Sequence, residues 1–274
     1  MSDPRTTPAN ARVAAAHLAH CSDSAVRVAG TARRIGRPVA DLLREPDGPR
    51  DRQLLLGEAV TVYEDRDGWS FVQAGKDGYV GYVLTESLGP EQAATHRVTA
   101  PATHVYARAD IKSADRMTLS LGSLLAGRAE TGGFLETGAG FVPLVHVAPV
   151  AELAADPVAV AELFLGTPYL WGGNSRFGID CSGLVQAALL ACGLPCPGDS
   201  DQQQAALGRA LPGASAARRG DLLFWAGHVA LVAGPGELIH ANAFHMAVSR
   251  EPIVQAKARI AAQGGGRVLA HKRL

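Results

Sequence analysis

The sequence lacks an excess of charge of either sign, and it lacks any long apolar run. Its 274 residues include 26 lysines and arginines and 26 aspartates and glutamates, so the formal net charge is zero. A dedicated nucleic-acid-binding protein normally shows a basic excess or a basic stripe, so we expect no nucleic-acid partner. No apolar run approaches the roughly 18 residues that a membrane-spanning helix needs, so we expect no membrane partner either.

Cysteine is also scarce, and the first ten residues lack the pattern of a secretory signal. Four cysteines in a chain of this length do not form a disulfide framework; they are Cys21, Cys181, Cys192 and Cys196. Residues 1–10 are polar, with no basic start followed by an apolar segment. Both observations predict a cytoplasmic protein. The hydrophobic share of 47% and the charged share of 19% indicate folded cores and exclude a disordered chain.

Short apolar runs broken by turn residues fill the middle of the chain. Runs at 59–63, 69–72 and 79–83 alternate in polarity and are separated by Gly-containing turns. A weaker copy of this pattern follows, and two units of about 55–60 residues each fit the spacing. The sequence therefore predicts two small all-β units, each a barrel or a sandwich, at 38–95 and 96–150.

The segments before and after these two β-units have sequence patterns that differ from the β-units and from each other. The segment 1–37 contains an alanine-rich stretch at 11–19, which predicts a short helix packed on the first β-unit. From residue 151 to the end, Asp156 and Pro157 favour a helix start, and the apolar run 184–191 is typical of a buried helix. Strand-like runs divided by Gly and Pro then follow, at 221–225, 228–233 and 238–241. This order predicts an α+β domain over 151–274.

Cys181 stands directly before the predicted buried helix. Unpaired backbone N–H groups and the positive end of the helix dipole favour a thiolate at such a position, so Cys181 is a candidate nucleophile. The alternative is an ordinary core cysteine, and that interpretation suits Cys192, further along the same helix. The pair Cys192 and Cys196 does not predict a metal site, because structural zinc needs about four ligands and no second pair has suitable spacing. We expect no metal and no cofactor.

A cysteine nucleophile needs a base, and two histidines lie within strand-like apolar runs. His228 and His240 on neighbouring strands would complete a nucleophile, base and orienting residue, although a single strand histidine is more often a core residue. The other histidines lie in loops or in the β-units and are treated as background: His17, His20, His96, His104, His146, His245 and His271.

Several short motifs occur in a family-specific order between residue 156 and the end of the chain. They are Tyr169-Leu170-Trp171-Gly172-Gly173, Asp180-Cys181-Ser182-Gly183-Leu184-Val185, Gly220-Asp221-Leu222, His228-Val229 and Ile239-His240-Ala241. This region closely resembles the NlpC family of papain-like cysteine peptidases. The β-units resemble bacterial SH3 domains through Gly68-Trp69 and Gly78-Tyr79-Val80-Gly81-Tyr82-Val83. The whole order resembles the γ-D-glutamyl-L-diamino-acid endopeptidases that trim muropeptides during cell-wall recycling.

The resemblance implies a role for each candidate residue of the catalytic domain. Cys181 would attack the γ-carbonyl of D-glutamate, His228 would act as general base and acid, and His240 would orient His228. The Cys181 backbone N–H and the Tyr169 hydroxyl would stabilise the oxyanion. Trp171 would form a wall of the substrate cleft; the alternative is ordinary packing against the helix.

The resemblance also implies a device for substrate specificity. In the recycling enzymes the first SH3-like unit blocks one end of the cleft, and two acids and a tyrosine hold the free amino group of L-alanine. The matching residues here are Glu58, Tyr79 and Asp199. Their alternatives are a surface strand residue, a barrel aromatic and a helix cap, the last of which Ser200 could also provide. Asp180 and Ser182 are further candidates for contacting the D-glutamate α-carboxylate or the scissile bond.

The sequence is also compatible with three other functions. The chain could be an inactive cell-wall or peptide-binding protein that uses its SH3-like units, or a general endopeptidase acting on the wall itself. A zinc hydrolase using His228, His240 and a carboxylate is a third alternative. The identity of the diamino acid, lysine or diaminopimelate, and the oligomeric state are not determined by the sequence.

Overall fold

Two units make up the chain of this computed structural model, Met1–Ala151 and Glu152–Leu274. The structure describes residues 3–18, 25–212 and 215–274. We predicted the corresponding boundary at residue 150. No helix in the described ranges is long and apolar enough to cross a membrane.

The first unit begins with a short 3-10 turn and a pair of parallel strands. The turn is Pro4–Thr6, and the strands are β1 (Val13–Ala15) and β2 (Val26–Val28).

The predicted helix over 11–19 is wrong, because part of that stretch forms β1. Val13 and Ala15 pack against Tyr63 and Phe71 in one buried cluster. Burying these side chains and pairing with β2 outweigh the helix preference of alanine, because intrinsic helix propensities of ordinary residues differ by less than about 1 kcal/mol per residue. The end of the stretch, at Ala19, lies outside the described residues.

The first barrel is a seven-stranded antiparallel sheet in the order β5-β4-β8-β7-β6-β3-β9. A 3-10 turn, Thr85–Ser87, precedes the last strand. The strands are β3 (Thr31–Ile35), β4 (Val39–Leu43), β5 (Arg50–Leu55), β6 (Ala59–Arg66), β7 (Trp69–Ala74), β8 (Val80–Leu84) and β9 (Leu88–Gly89).

Alternating side chains of these strands form the barrel core, which includes Ile35, Leu42, Leu54, Val72 and Val83. The first two apolar runs recognised in the sequence lie within β6 and β7, and the third begins one residue before β8 and continues into it. However, β3 pairs with β6 in the same sheet, so the barrel starts before the predicted boundary at residue 38.

The second barrel combines a five-stranded sheet, β12-β11-β16-β15-β14, with a three-stranded sheet, β13-β10-β17. A 3-10 turn, Leu144–His146, precedes β17. The strands are β10 (His96–Val98), β11 (Ala102–Tyr106), β12 (Asp115–Ser120), β13 (Leu124–Leu125), β14 (Gly127–Thr131), β15 (Phe134–Thr137), β16 (Gly140–Pro143) and β17 (Val147–Pro149).

The second unit places four helices around a six-stranded antiparallel sheet in the order β20-β25-β21-β22-β23-β24. The helices are α1 (Pro157–Glu162), α2 (Cys181–Ala191), α3 (Ser200–Ala206) and α4 (Ile253–Ala262). The strands are β18 (Asn174–Ser175), β19 (Gly178–Ile179), β20 (Arg209–Ala210), β21 (Leu222–Trp225), β22 (His228–Gly234), β23 (Glu237–Asn242), β24 (Ala247–Pro252) and β25 (Ala270–Arg273). Strands β18 and β19 form a separate hairpin.

The mixed α+β class predicted for this domain is confirmed, with one element that the sequence analysis did not anticipate. As predicted, α2 is a buried helix, and Leu184, Ala188 and Leu189 are fully buried. Helix α4 follows the strands, and its Ala256 and Ile260 cover one face of the sheet. Helix α2 also contacts β22 and β23, so helices on the sheet make it a rigid support for side chains at its strand ends.

A buried carboxylate joins the last strand to the centre of the sheet. Asp221 is 1% exposed and accepts hydrogen bonds from Arg273 through both oxygens, each at 2.7 Å. His271 Nε2 lies 2.7 Å from the same carboxylate, and the Arg218 backbone N–H donates to it. This network ties β25 to the start of β21.

Candidate active site

The loop before α2 is fixed to the helix by the side chain of Asp180. One carboxylate oxygen accepts from the Gly183 N–H at 2.7 Å and from the Ser182 hydroxyl at 3.0 Å. The other oxygen accepts from the Gly172 N–H at 2.9 Å. Asp180 is therefore the N-cap of the helix, and it sets the position of Cys181 in the first turn.

Backbone geometry near Cys181 requires glycine at two positions. A Cβ on Gly183 would lie 2.4 Å from the carbonyl oxygen of Gly173, so only glycine lets the helix start approach the loop. Gly172 has a φ of +70°, a conformation that glycine adopts without strain.

The Cys181 thiol lies against the first residues of β22. Its Sγ atom is 4.0 Å from the carbonyl oxygen of Gly227, and the Val229 N–H also points at the sulfur. These two contacts stand on either side of His228 in the chain. The helix thus brings the candidate nucleophile to the strand end that carries the candidate base.

The sequence led us to expect that the helix start favours a thiolate, and here the structure differs. Burial raises the pKa of the Cys181 thiol to about 12, and the neighbouring Asp180 carboxylate raises it as well. The N–H groups of Val229 and Ser182 act in the opposite direction and do not outweigh burial. The thiol is the stable form of Cys181 in this structure.

The two strand histidines lie side by side. His228 Nε2 is 2.9 Å from His240 Nδ1, with ring centroids 5.1 Å apart. His228 follows Gly227 at the start of β22, and His240 lies on β23 with no exposed surface. Burial lowers the pKa of His228 to about 3 and that of His240 to about 4, so both rings are neutral near pH 7.

Sequence reasoning missed two charged residues behind His240. His240 Nε2 lies 3.1 Å from a carboxylate oxygen of Glu251 on β24. Arg259 on α4 donates to both oxygens of Glu251, at 2.9 and 2.6 Å, and its guanidinium lies 4.6 Å from the Phe244 ring centroid. The hydrogen bond and the charge of Arg259 lower the pKa of Glu251. No motif marked Glu251, because its distance from His240 depends on strand pairing.

Tyr169 and Trp171 lie on the loop that leads to the helix. Tyr169 is half-buried; burial raises the pKa of its hydroxyl, and the nearby Cys181 and Asp180 raise it further. Tyr169 therefore remains a neutral donor near the sulfur. Trp171 is 70% exposed, so the alternative of ordinary packing against the helix does not hold for its side chain.

In the structure, the side chains of Asp180 and Ser182 are not placed to contact a substrate. Both side chains are buried, and the Ser182 hydroxyl donates to Asp180. A carboxylate already held by three donors would repel a second carboxylate. The geometry therefore favours a positioning role for both residues over direct contact with the D-glutamate α-carboxylate.

Asp199, and not Ser200, caps α3. Asp199 forms a capping box with Gln202, and its N–H donates to the Gln202 side chain at 3.4 Å. Ser200 is the first helical residue. Gln203, from the same helix and fully buried, donates to the carbonyl oxygen of Ser182 at 2.9 Å, so α3 also supports the start of α2.

Glu58 and Tyr79 belong to the first barrel. Glu58 pairs with Lys76 at 2.9 Å, and burial raises the pKa of Glu58. Its second oxygen, Oε2, is buried and has no hydrogen-bond partner within the described parts of the chain. Tyr79 is 4% exposed and packs in the barrel core, as the alternative interpretation anticipated.

A zinc site does not fit the histidine geometry. Both ring nitrogens of His240 are engaged, one by His228 and one by Glu251, which leaves no nitrogen for a metal. Over residues 3–18, 25–212 and 215–274, no group of three or more His, Cys, Asp or Glu side chains could hold a metal ion. Cys192 and Cys196 form no disulfide within these ranges, and Cys21 lies outside them.

Comparison with known proteins assigns the chain to a family. Residues 166–260 match the NlpC/P60 family, and residues 42–88 match the bacterial dipeptidyl-peptidase SH3 domain. The γ-D-glutamyl-L-lysine dipeptidyl-peptidase of Bacillus subtilis (strain 168) is 32% identical over 213 residues, which cover 69% of this chain and 71% of that protein. The chain belongs to the NlpC/P60 family. It is a cysteine peptidase that carries an SH3 domain, which confirms the predicted resemblance and enzyme class.

Two further comparisons extend over most of this NlpC/P60 peptidase. Dipeptidyl-peptidase 6 of Lysinibacillus sphaericus is 30% identical over 232 residues, covering 74% of this chain and 85% of that protein. The crystal structure of an NlpC/P60 family protein from Bacillus cereus ATCC 10987 has a TM-score of 0.75 and covers 89% of this chain and 99% of that chain. At 22% identity this second likeness shows the fold. The SH3 character of the second barrel stays a prediction.

Proposed function

We propose that this peptidase cleaves the bond between γ-D-glutamate and an L-diamino acid in muropeptides that begin with a free L-alanine. The observation that carries the proposal is the position of the Cys181 thiol, which lies against the backbone on both sides of His228. His228 Nε2 is in turn hydrogen-bonded to His240. Further support comes from the relatives, two of which are named as dipeptidyl-peptidases, one of them of γ-D-glutamyl-L-lysine.

The acylation step follows from the protonation states of the site. Cys181 starts as a thiol and His228 as a neutral imidazole, so the thiol proton moves to His228 Nδ1 while sulfur attacks the γ-carbonyl carbon. The Cys181 backbone N–H and the Tyr169 hydroxyl donate to the oxyanion. Collapse breaks the C–N bond, and His228 returns the proton to the departing amine of the diamino acid.

Deacylation reverses these proton transfers with water as the nucleophile. Water attacks the thioester carbonyl while His228 Nδ1 accepts one of its protons. Collapse then releases L-Ala-γ-D-Glu as the free acid, and the proton returns to the Cys181 sulfur. No metal or organic cofactor enters either step.

Preference for a free α-amine is the finer part of the proposal, and it assigns Glu58, Tyr79 and Asp199 to the ammonium group. Its support is the buried Glu58 oxygen, Oε2, which has no donor among the described residues. An unpaired buried acceptor is unfavourable, and an ammonium donor would satisfy it. Tyr79 lies in the barrel core and Asp199 caps α3, so Glu58 is the residue to test first.

The decisive experiment measures kcat/KM for L-Ala-γ-D-Glu-L-Lys, its diaminopimelate analogue and the N-acetylated tripeptide, with products identified by mass. Acetylation removes the charge of the ammonium group that we propose pairs with Glu58 Oε2, and losing one partner of a desolvated charge pair costs about 2–5 kcal/mol, or roughly 30- to several-thousand-fold in rate. Glu58→Gln should lower kcat/KM for the free peptide and leave the acetylated peptide little changed. Glu86→Gln is a matched control, since Glu86 pairs with Arg37 on the exposed surface of the same barrel.

Each other outcome points to a different function. Comparable rates on the free and acetylated peptides would contradict the amine preference and favour a general wall endopeptidase. No cleavage of any peptide, with the thiol intact, would favour the inactive binding protein. The recycling role and the cytoplasmic location rest on the sequence interpretation, and cell fractionation with an antibody to the chain would test the location.

A further inference from the structure

Glu251 and Arg259 form a buried ion pair that the reaction described above does not use. Glu251 is 7% exposed, and its two oxygens accept two hydrogen bonds from Arg259 and one from His240. The pair lies on β24 and α4, on the side of His240 away from His228. A buried, fully paired carboxylate at this position fixes the donor and the acceptor in the hydrogen bonds from Glu251 to His240 and from His240 to His228.

The direction of these bonds follows from what each group can donate. An ionised carboxylate only accepts, so the bond between Glu251 and His240 requires a proton on His240 Nε2. His240 is neutral, so its Nδ1 carries a lone pair and accepts from His228 Nε2. His228, also neutral, then has its lone pair on Nδ1, the nitrogen that must take the thiol proton.

We propose that Glu251, held by Arg259, is a positioning residue that selects the tautomers of His240 and His228. This inference rests on the proposed function, because it concerns the same base and nucleophile. Glu251 contacts His240 and Arg259, so it acts on the thiol through His240 and His228. Its effect is to keep the basic nitrogen of His228 free of a proton before the reaction begins.

Replacing Glu251 with glutamine should reverse this selection. In Glu251→Gln one side-chain oxygen becomes an NH2 donor: at the Oε2 position it opposes both His240 Nε2 and Arg259 Nη2, and at the Oε1 position it opposes only Arg259 Nε. When the amide NH2 faces His240, His240 must accept at Nε2 and carry its proton on Nδ1. His228 then accepts at Nε2 and is protonated on Nδ1, so it cannot act as the base.

The kinetic test compares Glu251→Gln with Glu251→Asp on the tripeptide substrate. In Ser–His–Asp triads the carboxylate-to-amide change costs on the order of 10,000-fold in kcat, and one residue further from the base we expect about 10- to 1000-fold. KM should change little. Glu251→Asp, which keeps the charge, should retain more activity than the isosteric Glu251→Gln. The reverse order would show that Glu251 only fills space.

The pH profile separates positioning from packing. The titratable or charged groups that face the two imidazoles are Cys181 on α2, Glu251 on β24, Arg259 on α4 and His245 in the turn before β24. The Arg259 charge lowers the pKa of both rings and Glu251 raises it. Arg259→Met should therefore move the acidic limb of kcat/KM to higher pH, and Glu251→Gln should move it to lower pH. Shifts in the same direction would overturn the proposal.

A spectroscopic readout does not depend on substrate. In protein labelled with 15N in its imidazoles, long-range 1H–15N spectra distinguish a proton on Nδ1 from one on Nε2; His228→Gln and His240→Gln assign the signals. Both rings should carry the proton on Nε2 in the unmodified protein and on Nδ1 in Glu251→Gln. Unchanged tautomers in Glu251→Gln would overturn the proposal even if activity falls, and this result holds whether or not the tripeptide is the substrate.

The matched control is a second ion pair, which joins β24 to β23. Glu237 on β23 pairs with Arg250 on β24 at 3.1 Å, and both side chains are exposed. Glu237→Gln should leave kcat, the pH profile and the tautomers unchanged. An equal loss of kcat in this variant would show that the effect of Glu251→Gln comes from a general disturbance of the sheet.

Discussion

His228 Nε2 lies 2.9 Å from His240 Nδ1, so a hydrogen bond joins the two imidazoles and engages one nitrogen of each ring. His240 is fully buried and its other nitrogen is bonded to Glu251, whereas His228 is half-buried at a strand end beside the Cys181 thiol. Only His228 therefore has a nitrogen available for proton transfer. The geometry supports the predicted division between a base at His228 and an orienting residue at His240.

We expect Cys181 to be the only cysteine required for activity. Cys181→Ala should abolish turnover while the circular dichroism spectrum and the free energy of unfolding stay close to those of the unmodified protein. Cys192→Ala is the matched control, because Cys192 lies at the opposite end of the same helix. A normal rate in Cys181→Ala would show that no acyl-enzyme forms.

The two histidines should differ in the size of their effects. His228→Ala removes the base and should lower kcat to the background rate of the assay. His240→Asn keeps a polar side chain next to His228 and should retain measurable activity, since an orienting residue contributes less than the base itself. Steady-state kinetics of both variants would decide this, and a larger loss in His240→Asn would reverse the assignment.

Alkylation of Cys181 should increase steadily with pH. With a thiol pKa raised to about 12 by burial and by Asp180, the thiolate fraction grows about tenfold for each pH unit below that value. The rate of iodoacetamide modification at Cys181, followed by peptide mass, should therefore rise from pH 7 to 10. A plateau that begins near pH 6 would instead indicate a preformed thiolate–imidazolium pair.

Asp180→Asn provides a second measurement on the same thiol. Because the Asp180 carboxylate raises the pKa of Cys181, removing its charge should move the alkylation profile to lower pH. The variant should also lose stability, since an amide NH2 cannot accept from the Gly172 or Gly183 N–H. Urea unfolding would measure that loss, for which we expect about 1–3 kcal/mol.

The Asp221 network should make stability depend on acid pH. Burial alone would raise the pKa of Asp221, but hydrogen bonds from Arg273, the Arg218 N–H and His271 lower it to about 2, from 3.8. The folded state therefore gains roughly 2 kcal/mol from this ionised group above pH 4, and loses it as the pH falls from 4 to 2. Urea unfolding across this range should show that Asp221→Asn lacks this part of the pH dependence. Identical pH dependence in both proteins would exclude the network as its source.

The sequence determined much of this protein by itself. Period-two apolar runs located β6, β7 and β8, because alternation directly reflects which face of a strand is buried. The apolar run after Cys181 located α2, and motif order and position on the elements predicted Cys181, His228 and His240 as the candidate catalytic residues. These features are local, so a short window of sequence contains the physical cause of each.

Only the tertiary structure decided the remaining features. Strand pairing made part of the alanine-rich stretch 11–19 into β1. Burial raises the pKa of Cys181 by more than the N–H groups at the helix start lower it, so the thiol stays protonated. Glu251 reaches His240 because β24 pairs with β23 in one register, with Leu238 opposite Glu251 and α4 folding back to supply Arg259. Register and burial arise from contacts between distant parts of the chain, and no local pattern carries that information.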